Sequence, residues 1–135
     1  MIEKIIRKEI DQYIDTFKDC DEGFIQNWPN NKKNIRPYSL KGWLVSMKSG
    51  GKLDPHIHEN GWLSGAVYIN VPPKTSSNDG NFAVCLHENV SEKESKIIDV
   101  FTGSLVLFPA SLMHYTFPFV SDENRIVLAF DVIPK

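Results

Sequence analysis

Leu53-Asp-Pro-His56-Ile-His58-Glu-Asn-Gly-Trp62-Leu63-Ser-Gly-Ala-Val-Tyr68-Ile-Asn-Val71 is the stretch on which the fold turns, because it reads as two short strands, 53–58 and 63–71. In an extended strand residues i and i+2 project from one face with Cα atoms roughly 6.6 Å apart. His56 and His58 therefore either converge on one metal ion or stand as two polar rings on a solvent-facing strand.

Working outward, the same period of two continues on both sides. From Leu40 onward it marks further candidate strands at 42–48, 81–87, 96–100, 104–108, 113–119 and 124–132. Ser49-Gly-Gly51 reads as a tight hairpin connection, Pro72 to Gly80 as a longer loop ending in the turn signal Asn78-Asp-Gly80, and Thr102-Gly103 as another turn. Eight short antiparallel strands bury their inner faces best as two packed sheets, so the expected fold is mainly β, a jelly roll. Before it, Ile2, Ile5, Ile6, Ile10, Tyr13, Ile14 and Phe17 recur at helical spacing opposite Glu3, Lys4, Arg7, Lys8, Asp11 and Lys18. This predicts an N-terminal α-helix supporting one sheet from outside. Residues 20–37 mix Gly, Pro, Asn and charge without a period and read as a connecting loop, with Trp28 plugging the edge of the core. At 135 residues the chain suits a single domain, 1–39 as helix and loop lead-in and 40–135 as jelly-roll core.

Composition excludes several classes. With 15 Lys and Arg against 17 Asp and Glu, the net charge of -2 supplies no basic field, so no nucleic-acid partner is expected. Cys20 and Cys85 stand at unrelated places without Cys-x-x-Cys spacing, which argues for reduced thiols rather than a disulfide framework or zinc ribbon. Charges interrupt the N-terminus where a signal peptide needs an apolar run, and no run is long enough for a membrane span. A cytoplasmic protein without membrane contact is expected. The oligomeric state stays open.

A third imidazole, His114, follows in Leu107-Phe-Pro-Ala-Ser-Leu-Met-His114, and Arg125 comes eleven residues later. Neutral imidazole suits iron, zinc, nickel and copper, whereas magnesium and calcium prefer oxygen donors, so the set points to a transition metal. Strand alternation places Arg125, Val127, Ala129 and Asp131 on one face of an otherwise apolar strand. A guanidinium facing a barrel interior needs an anion, and its planar fork matches a carboxylate, so a small dicarboxylate fits. The alternative is an ion pair with Asp122 or Glu123 at the strand's lip. His87 reads as a surface or strand-end histidine. Trp43, Trp62 and Phe117 either line a mouth or serve as packing units.

Three stretches together carry a resemblance: Trp43 to Gly51, His56 to Pro72, and Gly103 to His114 continuing through Arg125 to Asp131. Over residues 40–135 the chain resembles the 2-oxoglutarate and Fe(II)-dependent oxygenases, in particular small prolyl-hydroxylase-like members with a cupin-like double-stranded β-helix. The resemblance implies that His56 and His114 are iron ligands and that Arg125 binds the distal carboxylate of 2-oxoglutarate. Tyr68 resembles the strand tyrosine whose hydroxyl helps hold that carboxylate, against the plainer reading of a core aromatic. His58 stands where most of the superfamily has Asp or Glu. It is either the third ligand, or an outer group with Glu59 or water in its place.

The implied activity is a dioxygenase that hydroxylates a small molecule or a protein side chain, turning 2-oxoglutarate into succinate and CO2. With three neutral histidines the iron and a 2-oxoglutarate dianion sum to zero charge rather than -1, so the cosubstrate is drawn in more strongly while the oxidised metal lacks an anionic donor. Purified protein is expected to carry nickel or zinc in place of iron, or to be empty. Two other readings remain at this point: a three-histidine, thiol-oxidising cupin without 2-oxoglutarate, and a non-catalytic cupin-like protein that binds a metal or small acid.

Overall fold

Among the residues that the computed structural model describes, 1–21, 23–27, 37–89 and 91–135, the chain forms seven strands. They are β1 (Tyr38–Met47), β2 (Leu63–Asn70), β3 (Phe82–Cys85), β4 (Lys96–Ile98), β5 (Leu105–Pro109), β6 (Met113–Thr116) and β7 (Arg125–Pro134). One sheet has the order β1-β7-β2-β5 and the other β4-β3-β6, with β2 antiparallel to β5 and β7, and β3 antiparallel to β4 and β6. This is the jelly-roll, double-stranded β-helix arrangement.

The expected strand at 53–58 forms only a single bridge. His56 and His114 exchange both backbone hydrogen bonds at 3.0 Å, Thr116 N–H donates to the Leu53 carbonyl at 3.1 Å, and His58 N–H donates to the Ala110 carbonyl at 3.0 Å. The register slips on both sides of the His56–His114 pair, with Thr116 reaching Leu53 rather than Asp54 and His58 reaching Ala110 rather than Leu112, so the ladder does not extend. The segment still lies along β6, opposite β3, and so does the work of a fourth strand in the smaller sheet.

This placement also corrects the reading of Ser49-Gly-Gly51 as a hairpin. β1 belongs to the four-stranded sheet and residues 53–58 run beside β6, so the turn carries the chain from one layer to the other. Gly50 takes φ +81°, and Gly51 N–H closes the turn on the Lys48 carbonyl at 2.9 Å.

Between the layers lies a core of Ala66, Tyr68, Phe82, Val100, Phe108 and Val127, in which the Phe82 and Phe108 rings meet at 5.0 Å between centroids. On the outer side of β2, Gly65 faces Phe130. A Cβ there would fall into the Phe130 ring and 2.7 Å from the Val106 carbonyl oxygen. Gly65→Ala should therefore destabilise the protein by about 1–3 kcal/mol, because β2 is fixed by partners on both edges and cannot recede; a lowered urea midpoint with an unchanged slope is the expected reading.

The two compact units of the chain are Met1–Ser39 with Pro134–Lys135, and Leu40–Ile133. In the first, α1 (Ile2–Phe17) buries Ile6, Ile10 and Ile14, while Ile2, Ile5 and Phe17 are exposed, so the apolar stripe is narrower than the sequence suggests. Glu3 pairs with Arg7 at 2.9 Å one turn on, and the Tyr38 hydroxyl donates to Asp11 at 3.1 Å. A short second helix, α2, spans Gly23–Gln26. Trp28 lies outside the described residues. No helix among the described residues is long and apolar enough to cross a membrane.

Candidate metal centre

His56 and His58 come from the bridge segment and His114 from β6, and the fold brings their ligand atoms within 4.8 Å of one another. The His56–His114 backbone bridge is what sets this proximity, since opposed residues of an antiparallel pair carry their side chains to one face. Ring centroids are 4.3 Å apart for His56 and His114, 4.9 Å for His58 and His114, and 5.4 Å for His56 and His58. Glu59 is exposed and stands outside the cluster.

Each imidazole is held through Nδ1. His56 Nδ1 lies 2.7 Å from the Asp54 carbonyl oxygen, His114 Nδ1 lies 3.0 Å from that of Leu112, and His58 Nδ1 lies 2.6 Å from Asp131 Oδ1. All three partners are acceptors, so Nδ1 donates in each ring and Nε2 is the nitrogen left for a metal ion. Imidazoles that each donate one ring N–H to a carbonyl or carboxylate have the arrangement in which metal-binding histidines are oriented. The donor set fits a transition metal ion.

His114 is buried beside the Phe108 and Phe82 rings, at centroid distances of 4.6 and 5.7 Å. Burial is the main cause that lowers its pKa to about 4; the Leu112 carbonyl opposes the shift and the neighbouring His56 and His58 add to it. In the unfolded chain an imidazole takes its proton near 6.5. Between those values the unfolded state binds more protons, so stability falls as pH falls. The metal-free protein should lose on the order of 2 kcal/mol between pH 7 and pH 5 from this group. Urea unfolding across that range measures it, and a flat profile would count against a buried neutral His114.

The three histidines open on a cavity of about 350 Å³, walled by Ala66, Tyr68, Phe82, Phe108 and Val127 with Trp43 and Leu53 toward its exposed side. That volume lies in the range of small-ligand sites. Trp43 stands 5.5 Å from the His58 ring, whereas Trp62 and Phe117 do not line the cavity. His87 is exposed after the end of β3 and takes no part in the cluster.

Arg125, at the start of β7, also lines the cavity and is only 3 % exposed. Its Nε donates to the Gly80 carbonyl at 3.3 Å, and its guanidinium carbon lies 5.2 Å from the centre of the Tyr68 ring. Gly80 reaches this position with φ +67°, which places its carbonyl under the arginine. No ion pair joins Arg125 to Asp122, Glu123 or any other carboxylate among the described residues; the Glu123 carboxylate instead accepts from Asn70. Burial pulls the Arg125 pKa down while Tyr68 supports its charge, and a guanidinium stays protonated throughout the physiological range. Burial likewise pushes the Tyr68 phenol up to about 12, with Arg125 opposing, so it stays a neutral hydroxyl. A buried cation without an anion faces the same cavity as a set of metal donors. Such a cavity offers an anionic ligand two positive groups, a metal ion held by the histidines and the guanidinium.

Behind His58 stand two residues that the motif reading did not single out. Asp131, in β7, and Ser64, in β2, are direct cross-strand partners, and Ser64 Oγ donates to Asp131 Oδ1 at 2.7 Å. The alternation that placed Asp131 on the same face as Arg125 was its only signal in the sequence. Nothing there marked Ser64.

The sequence profile of the family described as "Putative 2OG-Fe(II) oxygenase" matches residues 41–131. No curated protein sequence matches the chain. Among solved structures it is similar to a prolyl-4-hydroxylase from Pseudomonas putida, at 16 % identity and TM-score 0.56 over 71 % of this chain and 52 % of that one. It is also similar to HygX from Streptomyces hygroscopicus, a structure with iron bound, at 16 % identity and TM-score 0.58 over 73 % and 59 %. An oxidoreductase of the 2OG-Fe(II) oxygenase family from Burkholderia pseudomallei gives 11 % identity and TM-score 0.55 over 72 % and 45 %. The chain thus spans about half the length of these structures, and at such identities they speak for the shared fold. With the profile covering most of the jelly roll, including every residue that lines the cavity, the chain belongs to the 2OG-Fe(II) oxygenase family.

Proposed function

We propose that this protein is a 2-oxoglutarate- and Fe(II)-dependent dioxygenase that hydroxylates a small molecule or a protein side chain and releases succinate and CO2. His56, His58 and His114 hold the iron through Nε2, and Arg125 with the Tyr68 hydroxyl holds the far carboxylate of 2-oxoglutarate. Residues 40–135 carry the activity and residues 1–39 form its lead-in.

The observation that carries this reading is the pairing of three Nδ1-tethered imidazoles with a buried, anion-free Arg125 in one cavity. A divalent ion held by these histidines, together with Arg125, puts two positive groups in one largely apolar cavity, and a dicarboxylate answers both. When bound, the iron and its cosubstrate supply the oxidising power. The protein's share is to fix the donors, clamp the carboxylate and keep water out, the last through the Phe82, Phe108 and Val127 walls. Membership of the family favours this reading over a 2-oxoglutarate-free thiol-oxidising cupin and over a protein that only binds.

Protein loaded with Fe(II) should convert 2-oxoglutarate to succinate slowly in the presence of O2, even without its own substrate, and His114→Ala should stop it. Neither succinate nor 2-oxoglutarate binding from the loaded wild-type protein would rule the proposal out.

A further inference from the structure

Three neutral imidazoles leave a bound divalent ion with its full charge, and the nearest other charge lining the cavity, Arg125, has the same sign. A carboxylate does touch the centre, through one of the rings. Asp131 Oδ1 lies 2.6 Å from His58 Nδ1, the shortest of the three contacts that tether the histidines. Asp131 is only 7 % exposed, and no lysine or arginine among the described residues pairs with it. Its remaining support is the neutral Ser64 hydroxyl, itself fully buried, which donates to the same oxygen and sits 3.1 Å from His58 Nδ1.

A buried carboxylate of this kind needs positive charge to offset its desolvation. From the placement of Asp131 behind His58 we infer that Asp131 is a positioning residue that gives the three-histidine centre its negative charge, by making His58 an anion-like donor rather than a third neutral one.

The chemistry follows from the hydrogen bond. As the Nδ1–H proton is drawn toward the carboxylate, electron density on the ring rises and Nε2 becomes a stronger donor, while His56 and His114 rest on neutral carbonyls and stay ordinary imidazoles. The charge favours the trivalent over the divalent ion, because a fixed negative charge interacts more strongly with the larger positive one. Ser64 fixes the carboxylate's rotation, so that it faces His58 and not the metal. The centre thereby keeps an anionic contribution without giving up a coordination position to a carboxylate oxygen. The inference rests on the metal-centre part of the proposed function and not on 2-oxoglutarate.

Asp131→Asn keeps a hydrogen-bond acceptor of the same shape and removes the charge. It should weaken Zn(II) binding to the metal-free protein by about 10- to 100-fold in a chelator competition. On the iron-loaded protein it should lower the preference for Fe(III) over Fe(II) about tenfold, an upward shift of about 59 mV in potential. Ser64→Ala keeps the charge and should move the potential much less. In the unaltered Zn(II) protein, which needs no substitution to fold, the His58 ring N–H should resonate furthest downfield of the three bound histidines.

Zinc affinity and potential unchanged in Asp131→Asn would overturn the inference, as would three indistinguishable ring N–H signals. Metal retained by His58→Ala but lost from Asp131→Ala would overturn it in another way, by making Asp131 the ligand itself. A wild-type protein that binds no metal would instead remove the metal centre. Loss of 2-oxoglutarate binding alone would remove the proposed activity and leave Asp131's role intact.

Discussion

Replacing His56 and His114 together by alanine should abolish stoichiometric metal binding, and with it any conversion of 2-oxoglutarate. These two residues are opposed across the bridge between the 53–58 segment and β6, and the proposed centre takes two of its three donors from them. Structural metal sites with four protein ligands are worth roughly 10–16 kcal/mol, so each donor carries about 3 kcal/mol and each single variant should lose on the order of a hundredfold in affinity. Zinc titration with a competing chelator measures this in the single variants, and metal analysis after dialysis does so in the double one. His87→Ala, which alters an exposed histidine away from the cluster, should bind as the wild type does.

Nickel, copper and zinc outcompete iron for nitrogen donors, so protein prepared in air should hold one of them until it is stripped and reloaded. His114→Ala also carries a second signature. It removes the buried imidazole that resists protonation, so the metal-free variant should lose the acid sensitivity expected of the wild type between about pH 6.5 and pH 4. A variant that bound no metal yet kept the full acid sensitivity would separate the two roles and contradict this account of His114.

Arg125→Met should nearly eliminate 2-oxoglutarate binding while leaving the metal in place. Removing one partner of a buried, charge-assisted carboxylate clamp costs about 2–5 kcal/mol, a loss of at least about thirtyfold. Arg125→Lys should not restore it, because an ammonium offers a point charge where the carboxylate meets a planar fork. The expected effect on stability has the opposite sign. In the metal-free, ligand-free protein Arg125 is a buried cation that meets no carboxylate among the described residues and rests on the Gly80 carbonyl and the Tyr68 side chain, so an apolar side chain of similar length should leave the fold at least as stable. A residue that weakens the fold by its presence and is needed only for a ligand is the pattern expected of a binding group. Calorimetry with 2-oxoglutarate on the zinc-loaded protein, set beside urea unfolding of the metal-free form, reads both halves.

Much of this centre was legible in the chain itself, because strand geometry is simple. The i, i+2 spacing of His56 and His58 and the alternation Arg125, Val127, Ala129, Asp131 each fix a face without any knowledge of the partner strands. The helix at 2–17 and the β2 and β7 segments were equally plain, since each carries a long, regular apolar period. What the sequence left open depends on pairing between distant segments. The 53–58 strand shrank to one bridge because its register with β6 slips on both sides of His56, and Ser49-Gly-Gly51 became a crossing between layers because β1 pairs with β7 rather than with its neighbour in sequence.

The choice between an ion pair and a free guanidinium at Arg125 was likewise decided by tertiary structure, which turns the side chain inward toward Gly80 and Tyr68 and away from Glu123. The same holds for His58. Its neighbours in sequence offered only Glu59 as a carboxylate, whereas the one it meets comes from Asp131, 73 residues on, placed by the register that sets Ser64 opposite Asp131. The departure from the expected carboxylate at position 58 is thus accompanied by a carboxylate one bond network further out.

The central claim is that the histidine cluster and Arg125 act on one ligand, bound to the metal at one end and to the guanidinium at the other. Anaerobic addition of 2-oxoglutarate to Fe(II)-loaded protein tests it most directly. The account predicts a visible metal-to-ligand charge-transfer band that saturates at one equivalent and is weakened in Arg125→Met at the same 2-oxoglutarate concentration. An absence of the band from fully iron-loaded wild-type protein would contradict it.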